Sequence, residues 1–92
     1  DAFRTLSMDG CTLQARVRMK RRAYNLLMEE FPLCEQDVSP LPGGEEWVLD
    51  TRVSGYRGIT RFLVGLADQV VIETPALRQF VAEYARKWIA RL

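Results

Sequence analysis

The stretch that decides the fold is residues 53–92, which read VSGYRGITRFLVGLADQVVIETPALRQFVAEYARKWIARL. Its second half predicts a long amphipathic helix, because apolar side chains recur at spacings of three and four residues. Those apolar positions are Leu77, Phe80, Val81, Tyr84, Trp88, Ile89 and Leu92. Thr74 fits the position before the helix, where its side-chain oxygen would accept a backbone N–H, and Pro75 fits the first helical position. A helix with such an apolar face must pack against something.

The residues before this helix predict six further elements, each from its own periodicity. Alternation of apolar and polar residues indicates strands, and apolar spacing of three to four indicates helices. In chain order we expect a strand over 13–20, a helix from Arg21 that stops at Pro32, a weak strand within 34–42, a strand over 47–53, a helix over 59–66 and a short strand over 70–73. Pro42, Gly43 and Gly44 predict the turn of a hairpin between the second and third strands.

The order β-α-β-β-α-β, followed by one more helix, predicts an α+β fold. A split β-α-β unit of this kind builds a four-stranded antiparallel sheet with two helices on one face, the ferredoxin-like arrangement. We therefore expect residues 12–92 to form one domain, and residues 1–11, which have no clear periodicity, to form a linker. The last helix has no obvious place among the first six elements, so we expect it to cover the sheet or to contact a partner.

Strand alternation also divides the side chains between the two faces of the predicted sheet. The face expected to lie under the helices carries Leu13, Ala15, Val17, Met19, Trp47, Leu49, Val53, Val70 and Ile72. The open face is expected to carry Gln14, Arg16, Arg18, Val48, Asp50, Arg52, Val71 and Glu73.

Composition excludes several classes of protein. An apolar fraction of 48% and a charged fraction of 27% are ordinary for a globular domain, and a net charge of +1 does not by itself indicate nucleic-acid binding. The longest apolar run is far shorter than the roughly 18 residues of a membrane-spanning helix. The chain contains no histidine, which removes the commonest general base and metal ligand. We therefore expect no metal, no cofactor and no contact with a membrane.

The basic run from Arg16 to Arg22 is the strongest charge signal in the chain. Arg16 and Arg18 point the same way on a strand, and Arg52 of the hairpin could join them on the open face. Such a patch could contact phosphates in a groove for single-stranded nucleic acid. The alternative is a solvated sheet face on which Asp50 and Glu73 neutralise the arginines.

The end of the last helix is the candidate interface. The apolar residues at this end are Trp88, Ile89 and Leu92, and we expect them to extend beyond the part of the helix near Leu77 that packs on the core. A tryptophan near the end of the chain would then leave an exposed apolar patch. This patch could mediate self-association or dock on another domain. The alternative is that the apolar stripe belongs to the domain's own core.

The order and spacing of these features resemble a known family. The segment from Val53 to Arg78, with a helix, a Leu-type turn, a short apolar strand, Glu73, Pro75 and then Leu77-Arg78, is similar to the C-terminal extension of WYL-domain transcriptional regulators of bacteria. The strand and helix over 13–31, and Glu46-Trp47 at the start of the hairpin strand, resemble the same module. The resemblance covers about residues 12–92.

This resemblance implies a cytoplasmic regulator whose chain also carries a helix-turn-helix for duplex DNA and a WYL domain for an effector. Residues 1–11 would then be the linker from the WYL domain, which is absent from this sequence. The resemblance further implies that the module supports dimerisation and effector-linked rearrangement, and that the effector can be single-stranded nucleic acid. A small-molecule sensor domain, with an apolar pocket beneath the last helix, is the alternative function.

An enzyme is the least supported class. Ser7, Ser39 and Ser54 have no histidine partner, and the strand-to-helix turn at Met19-Lys20 lacks the glycine that an acylphosphatase loop would need. The paired carboxylates, such as Glu29-Glu30, have the pattern of solvated surface. We therefore expect no catalytic residues.

Overall fold

The computed structural model describes residues 13–92. The predicted linker over residues 1–11, and the start of the domain at Thr12, lie outside this part of the chain. The described strands are β1 (Leu13–Lys20), β2 (Val38–Pro40), β3 (Glu46–Val53) and β4 (Val70–Ile72). The helices are α1 (Arg21–Glu30), α2 (Arg57–Leu63) and α3 (Pro75–Ala90), and two 3₁₀ helices cover Pro32–Asp37 and Val64–Leu66.

The four strands form one sheet in the order β2-β3-β1-β4, and every neighbouring pair is antiparallel. The two β-α-β units therefore interlock, since β3 lies between β1 and β2, and β1 lies between β3 and β4. This is the α+β, ferredoxin-like arrangement that the sequence predicts, with α3 as the extra C-terminal helix. The strand order leaves β2 and β4 at the two edges of the sheet.

The hydrophobic core lies between one face of the sheet and the helices. Its strand residues alternate along β1 and β3, as a half-buried sheet requires. The core consists of Ala15, Val17, Met19, Leu49 and Val53 from the sheet, Ala23, Leu27, Cys34, Ile59, Leu63 and Leu66 from the first two helices and their 3₁₀ extensions, and Leu77 from α3. Leu77 is the only fully buried residue of α3, so the rest of that helix contributes less to the core.

Two predicted face assignments differ from the structure in exposure. Leu13, the first residue of β1, was expected on the helix face but is 38% exposed, although Val53 opposite it is fully buried. Val48 lies on the open face, opposite Arg18, yet is only 6% exposed. Long side chains such as that of Arg18 cover neighbouring apolar surface with their methylene groups, which accounts for a buried valine on a charged face.

The predicted weak strand within residues 34–42 is confirmed as a short edge strand, but it covers only part of that span. Only Val38–Pro40 pairs with β3, and Pro32–Asp37 forms a 3₁₀ helix that carries the buried Cys34. Proline at the start of this segment favours a helical first turn over a strand, because its φ is fixed near the helical value. The turn at 42–44 is confirmed by positive φ angles at Gly43 and Gly44, +101° and +72°.

The predicted cap by the Thr74 side chain is wrong, although α3 does begin at Pro75 as predicted. Thr74 occupies the cap position, but its side chain makes no bond to the first turn of the helix. Its hydroxyl oxygen instead accepts the backbone N–H of Arg16 at 2.8 Å. The backbone N–H of Glu73 also donates to the carbonyl oxygen of Arg16, at 2.9 Å, so the start of α3 is fixed to β1.

Candidate functional site

The open face of the sheet carries an ion-pair network centred on Arg16. The guanidinium of Arg16 donates to Glu73 Oε1 at 2.8 Å through Nε and to Asp50 Oδ2 at 3.0 Å through Nη1. These two carboxylates come from neighbouring strand segments on either side of β1. The bond to Glu73, followed by that to Asp50, raises the pKa of Arg16 above its ordinary value, because both carboxylates stabilise the charged guanidinium.

Arg18 lies one row further along the same face and is also near carboxylates. Its guanidinium is 3.9 Å from Glu46 Oε1 and 3.9 Å from Glu73 Oε2. Arg52 lies opposite Gln14 in the register, beyond Asp50 on the same strand. The structure thus brings Arg16 and Arg18 together around Glu73, with carboxylates between and beside them. This geometry matches the alternative of a neutralised sheet face, and phosphate binding by Arg16, Arg18 and Arg52 stays a prediction.

The basic run is divided by the junction between β1 and α1. Lys20, Arg21 and Arg22 line a separate recess of about 590 Å³ at the start of α1, together with Glu29 and Glu45. Arg21 lies 3.7 Å from Glu45 and stands over the ring of Trp47, 5.4 Å from its centroid. Lys20 shares the open face with Arg16 and Arg18, whereas Arg21 and Arg22 belong to α1.

The C-terminal half of α3 carries a large exposed apolar surface. Trp88 and Ile89 are each 62% exposed, and Leu92, two residues beyond the end of α3, is 85% exposed. The N-terminal half is held differently, since Leu77 is buried and Phe80 packs edge-on against Tyr56 with ring centroids 5.9 Å apart. The structure places the predicted interface residues Trp88, Ile89 and Leu92 on this surface, and whether they contact a partner stays a prediction.

An apolar groove of about 860 Å³ separates α3 from β4. Its floor contains all three residues of β4 and part of the second 3₁₀ helix, and its wall contains Val81, Tyr84, Trp88 and Ile89 of α3. Arg78 is the one charged residue among those that line it. The predicted pocket beneath the last helix therefore exists, and it opens along the edge strand β4.

The edge of β4 that faces this groove exposes backbone hydrogen-bonding groups. Just outside the two ends of β4, the backbone N–H of Lys20 donates to the carbonyl of Gln69, and the backbone N–H of Glu73 donates to the carbonyl of Arg16. Gln69 and Glu73 are therefore residues whose backbone bonds to β1. Because hydrogen-bonded and non-bonded pairs alternate in an antiparallel ladder, Val71 bonds to β1 while the N–H and C=O groups of Val70 and Ile72 point away from it. The outward carbonyl of Ile72 accepts Nε and Nη2 of Arg78 at 3.3 and 3.1 Å.

Arg78 is a site residue that the sequence analysis missed. The sequence feature that could have identified Arg78 is its position in the first turn of α3, because the helix dipole disfavours a positive charge there. Within residues 13–92, no carboxylate lies within ion-pair distance of Arg78. The single cation of the groove is therefore bonded to a backbone carbonyl only.

Two other features are absent from residues 13–92. In this part of the chain no helix is long and apolar enough to cross a membrane. No group of three or more histidine, cysteine, aspartate or glutamate side chains in it could hold a metal ion.

Fold and surface together define an α+β, ferredoxin-like domain with an added amphipathic helix and an apolar groove at one sheet edge. Residues 11–89 match the WCX domain family, and the chain belongs to that family. It is therefore a C-terminal domain of the type found in WYL regulators, as its resemblance implies. No match was found among curated proteins or solved structures.

Proposed function

We propose that this chain is a non-enzymatic regulatory and dimerisation module of a cytoplasmic bacterial transcription regulator of the WYL type. It couples effector binding in the WYL domain to the activity of the paired DNA-binding domains. The observation that carries the proposal is its membership of the WCX domain family. The exposed surface of α3 supports the association role, because Trp88 and Ile89 are each 62% exposed and line one apolar groove, and contiguous exposed apolar patches mark interaction sites.

The mechanism follows from how α3 is attached. Its first turn is fixed to β1 through Thr74 and Arg16, whereas its last two turns carry the exposed apolar surface. A contact made on that surface is therefore transmitted to the sheet through a rigid helix. An effector that changes the orientation of the neighbouring domain would shift this contact and, with it, the spacing of the DNA-binding domains.

The test uses the intact regulator that carries this domain and duplex DNA that the regulator selects from a random pool. We expect Trp88→Ala/Ile89→Ser to weaken binding to the selected DNA at least tenfold, because unpaired DNA-binding domains lose the second half-site. The matched control is Leu33→Ala, which removes an equally exposed apolar side chain away from α3. Unchanged DNA affinity in the α3 variant, with the fold intact by circular dichroism, would contradict the proposal.

A small-molecule sensor is the second candidate function, and the groove beneath α3 is the observation that favours it. Its volume of about 860 Å³ and its apolar lining with one guanidinium suit an apolar acid. Decanoate is a suitable probe. Its binding is followed by tryptophan fluorescence in a Trp47→Phe variant, in which Trp88 is the single remaining tryptophan. Saturable binding of decanoate, but not of decanol, that is lost in Arg78→Gln would support this candidate. Equal binding of both probes would contradict it.

A further inference from the structure

We propose that two copies of this domain associate through their β4 edges, which pair antiparallel about a two-fold axis at Val71. This inference rests on the proposed dimerisation role and specifies its surface. The result would be one continuous eight-stranded sheet with the two α3 helices side by side on the same face. Three observations lead to it: the open edge of β4, the charges at its two ends, and the apolar surface around it.

The first observation is the direction of the β4 backbone groups. Val70 and Ile72 direct their N–H and C=O groups away from β1, toward the groove. In a two-fold pairing centred on Val71, Val70 of one copy lies opposite Ile72 of the other. Residues opposite each other at such positions exchange two hydrogen bonds, so the pairing would form four between the copies. An unpaired edge is the part of a sheet most ready to accept a further strand.

The second observation is a pair of charges without partners inside the described chain. Arg78 and Asp68 are both exposed, and within residues 13–92 neither has an ion-pair partner. Pairing about Val71 brings the turn that carries Asp68 of one copy to the end of β4 from which α3 starts in the other, where Arg78 binds the carbonyl of Ile72. Arg78 can then move to the partner's Asp68, and the carbonyl of Ile72 becomes free to accept the partner's Val70 N–H. The same exchange occurs twice, once on each side of the axis.

The third observation is the apolar surface that this pairing would cover. Val71 is 50% exposed, Val64 is 44% exposed, and Trp88 and Ile89 are each 62% exposed. With the β4 backbone these groups present surface on the order of 500 Å² per copy, or about 1,000 Å² in a dimer, which is the lower limit for a specific interface. A self-complementary patch of this size fits a weak two-fold dimer in which each copy's groove receives the other's edge.

The direct test is the molar mass of the 92-residue chain by light scattering, from about 10 μM to about 1 mM. We expect the mass to rise with concentration from the monomer value of 10.6 kDa toward twice that value. Val71→Lys should raise the dissociation constant at least tenfold, because it places two like charges directly opposite each other across the axis. Leu33→Lys is the matched control, since Leu33 is exposed to 60% and does not line the groove.

Two further variants test the register. Val70→Pro removes an outward N–H that β1 does not use, so it should block dimerisation and leave the fold intact. Arg78→Glu and Asp68→Lys should each be monomeric alone, and an equimolar mixture should form a heterodimer, because each copy then carries the partner charge that the other needs. Recovery of the dimer only on mixing would support the two-fold pairing of these two residues.

Two results would overturn the inference without removing the proposed regulatory role. A dimer that Val71→Lys leaves intact but Trp88→Ala/Ile89→Ser dissociates would place self-association on α3 alone. A wild-type chain that stays monomeric up to about 1 mM would show that the β4 edge does not self-pair. In either case the regulatory proposal still depends on the DNA affinity of the intact regulator, which is measured separately.

Discussion

The backbone N–H of Arg16 and the hydroxyl oxygen of Thr74 are joined by a 2.8 Å hydrogen bond between residues 58 positions apart. This bond continues the ladder between β1 and β4 past the end of β4, with a side-chain oxygen in place of a backbone carbonyl. It fixes the position from which α3 starts and therefore the direction in which its exposed end projects. The same arginine binds Glu73 through its side chain, so backbone and side chain act at one junction.

Removal of the Thr74 hydroxyl should destabilise the domain. Thr74→Val keeps the shape but leaves the Arg16 N–H without an acceptor, which costs about 1–2 kcal/mol for a partly buried group. Thr74→Ser retains the oxygen and should lose much less. Urea unfolding followed by circular dichroism measures both. Equal losses in the two variants would show that the methyl group, and not the hydrogen bond, stabilises this junction.

Removal of a carboxylate from the open face tests whether the arginines there can bind phosphate. If Arg16 is available to a ligand, Asp50→Asn should raise affinity for a single-stranded 20-nucleotide DNA in the intact regulator, and Arg16→Glu/Arg18→Glu should lower it. Because arginine stays protonated well above pH 9, these effects should not vary between pH 6 and 9. Fluorescence anisotropy at two salt concentrations measures the affinity. No change in either variant, with the fold intact, would exclude Arg16 and Arg18 as phosphate contacts.

The stacked rings of Tyr24 and Trp47 should stabilise the packing of α1 on β3. Their centroids are 4.3 Å apart and their planes differ by 5°. Tyr24→Leu keeps apolar volume but removes the stack, and should cost about 0.5–1.5 kcal/mol beyond the change in buried area. Trp88→Leu, at an exposed position, should change the stability of the monomer little. Guanidinium unfolding at low protein concentration compares the two, and equal costs would contradict a stabilising stack.

The hairpin turn should require glycine at position 43. Gly43 has a φ of +101°, a conformation that side chains disfavour even though the space around it is open. Gly43→Ala should therefore destabilise the domain by about 1 kcal/mol. Gly65→Ala is the control, because its added Cβ also meets open space and its φ is not positive. Thermal unfolding should show a lower midpoint for the first variant and an unchanged or higher one for the second.

Local patterns in the sequence predicted most of the fold. Period-two alternation located β1 and β3, the Pro-Gly-Gly segment located the turn, and Pro75 marked the first residue of α3. These signals succeed because they depend on neighbours within a few residues. They failed for residues 32–37, where a proline-led 3₁₀ helix and a strand both fit a short and weakly apolar segment.

The candidate site was predicted only in part. The exposed end of α3 followed from its length and the apolar positions that no other predicted element could cover. A pocket beneath the last helix was expected as one alternative. The sequence did not predict that Arg78 would be its single charge or that the open edge of β4 would form its floor. Both depend on which strand occupies the edge of the sheet and on the register that turns Val70 and Ile72 outward.

By itself, the sequence determined the order of the elements, the alternating core positions and the resemblance to the WCX domain family, because periodicity, turn residues and motif spacing are local properties. Only the tertiary structure decided that Arg16 binds Glu73 and Asp50. It also decided that the Thr74 hydroxyl accepts a hydrogen bond from β1 and not from its own helix, and that Arg78 donates to the edge carbonyl of Ile72. Most of these contacts join residues from distant parts of the chain. They form only after strand pairing has fixed the register, and that register depends on packing across the whole domain.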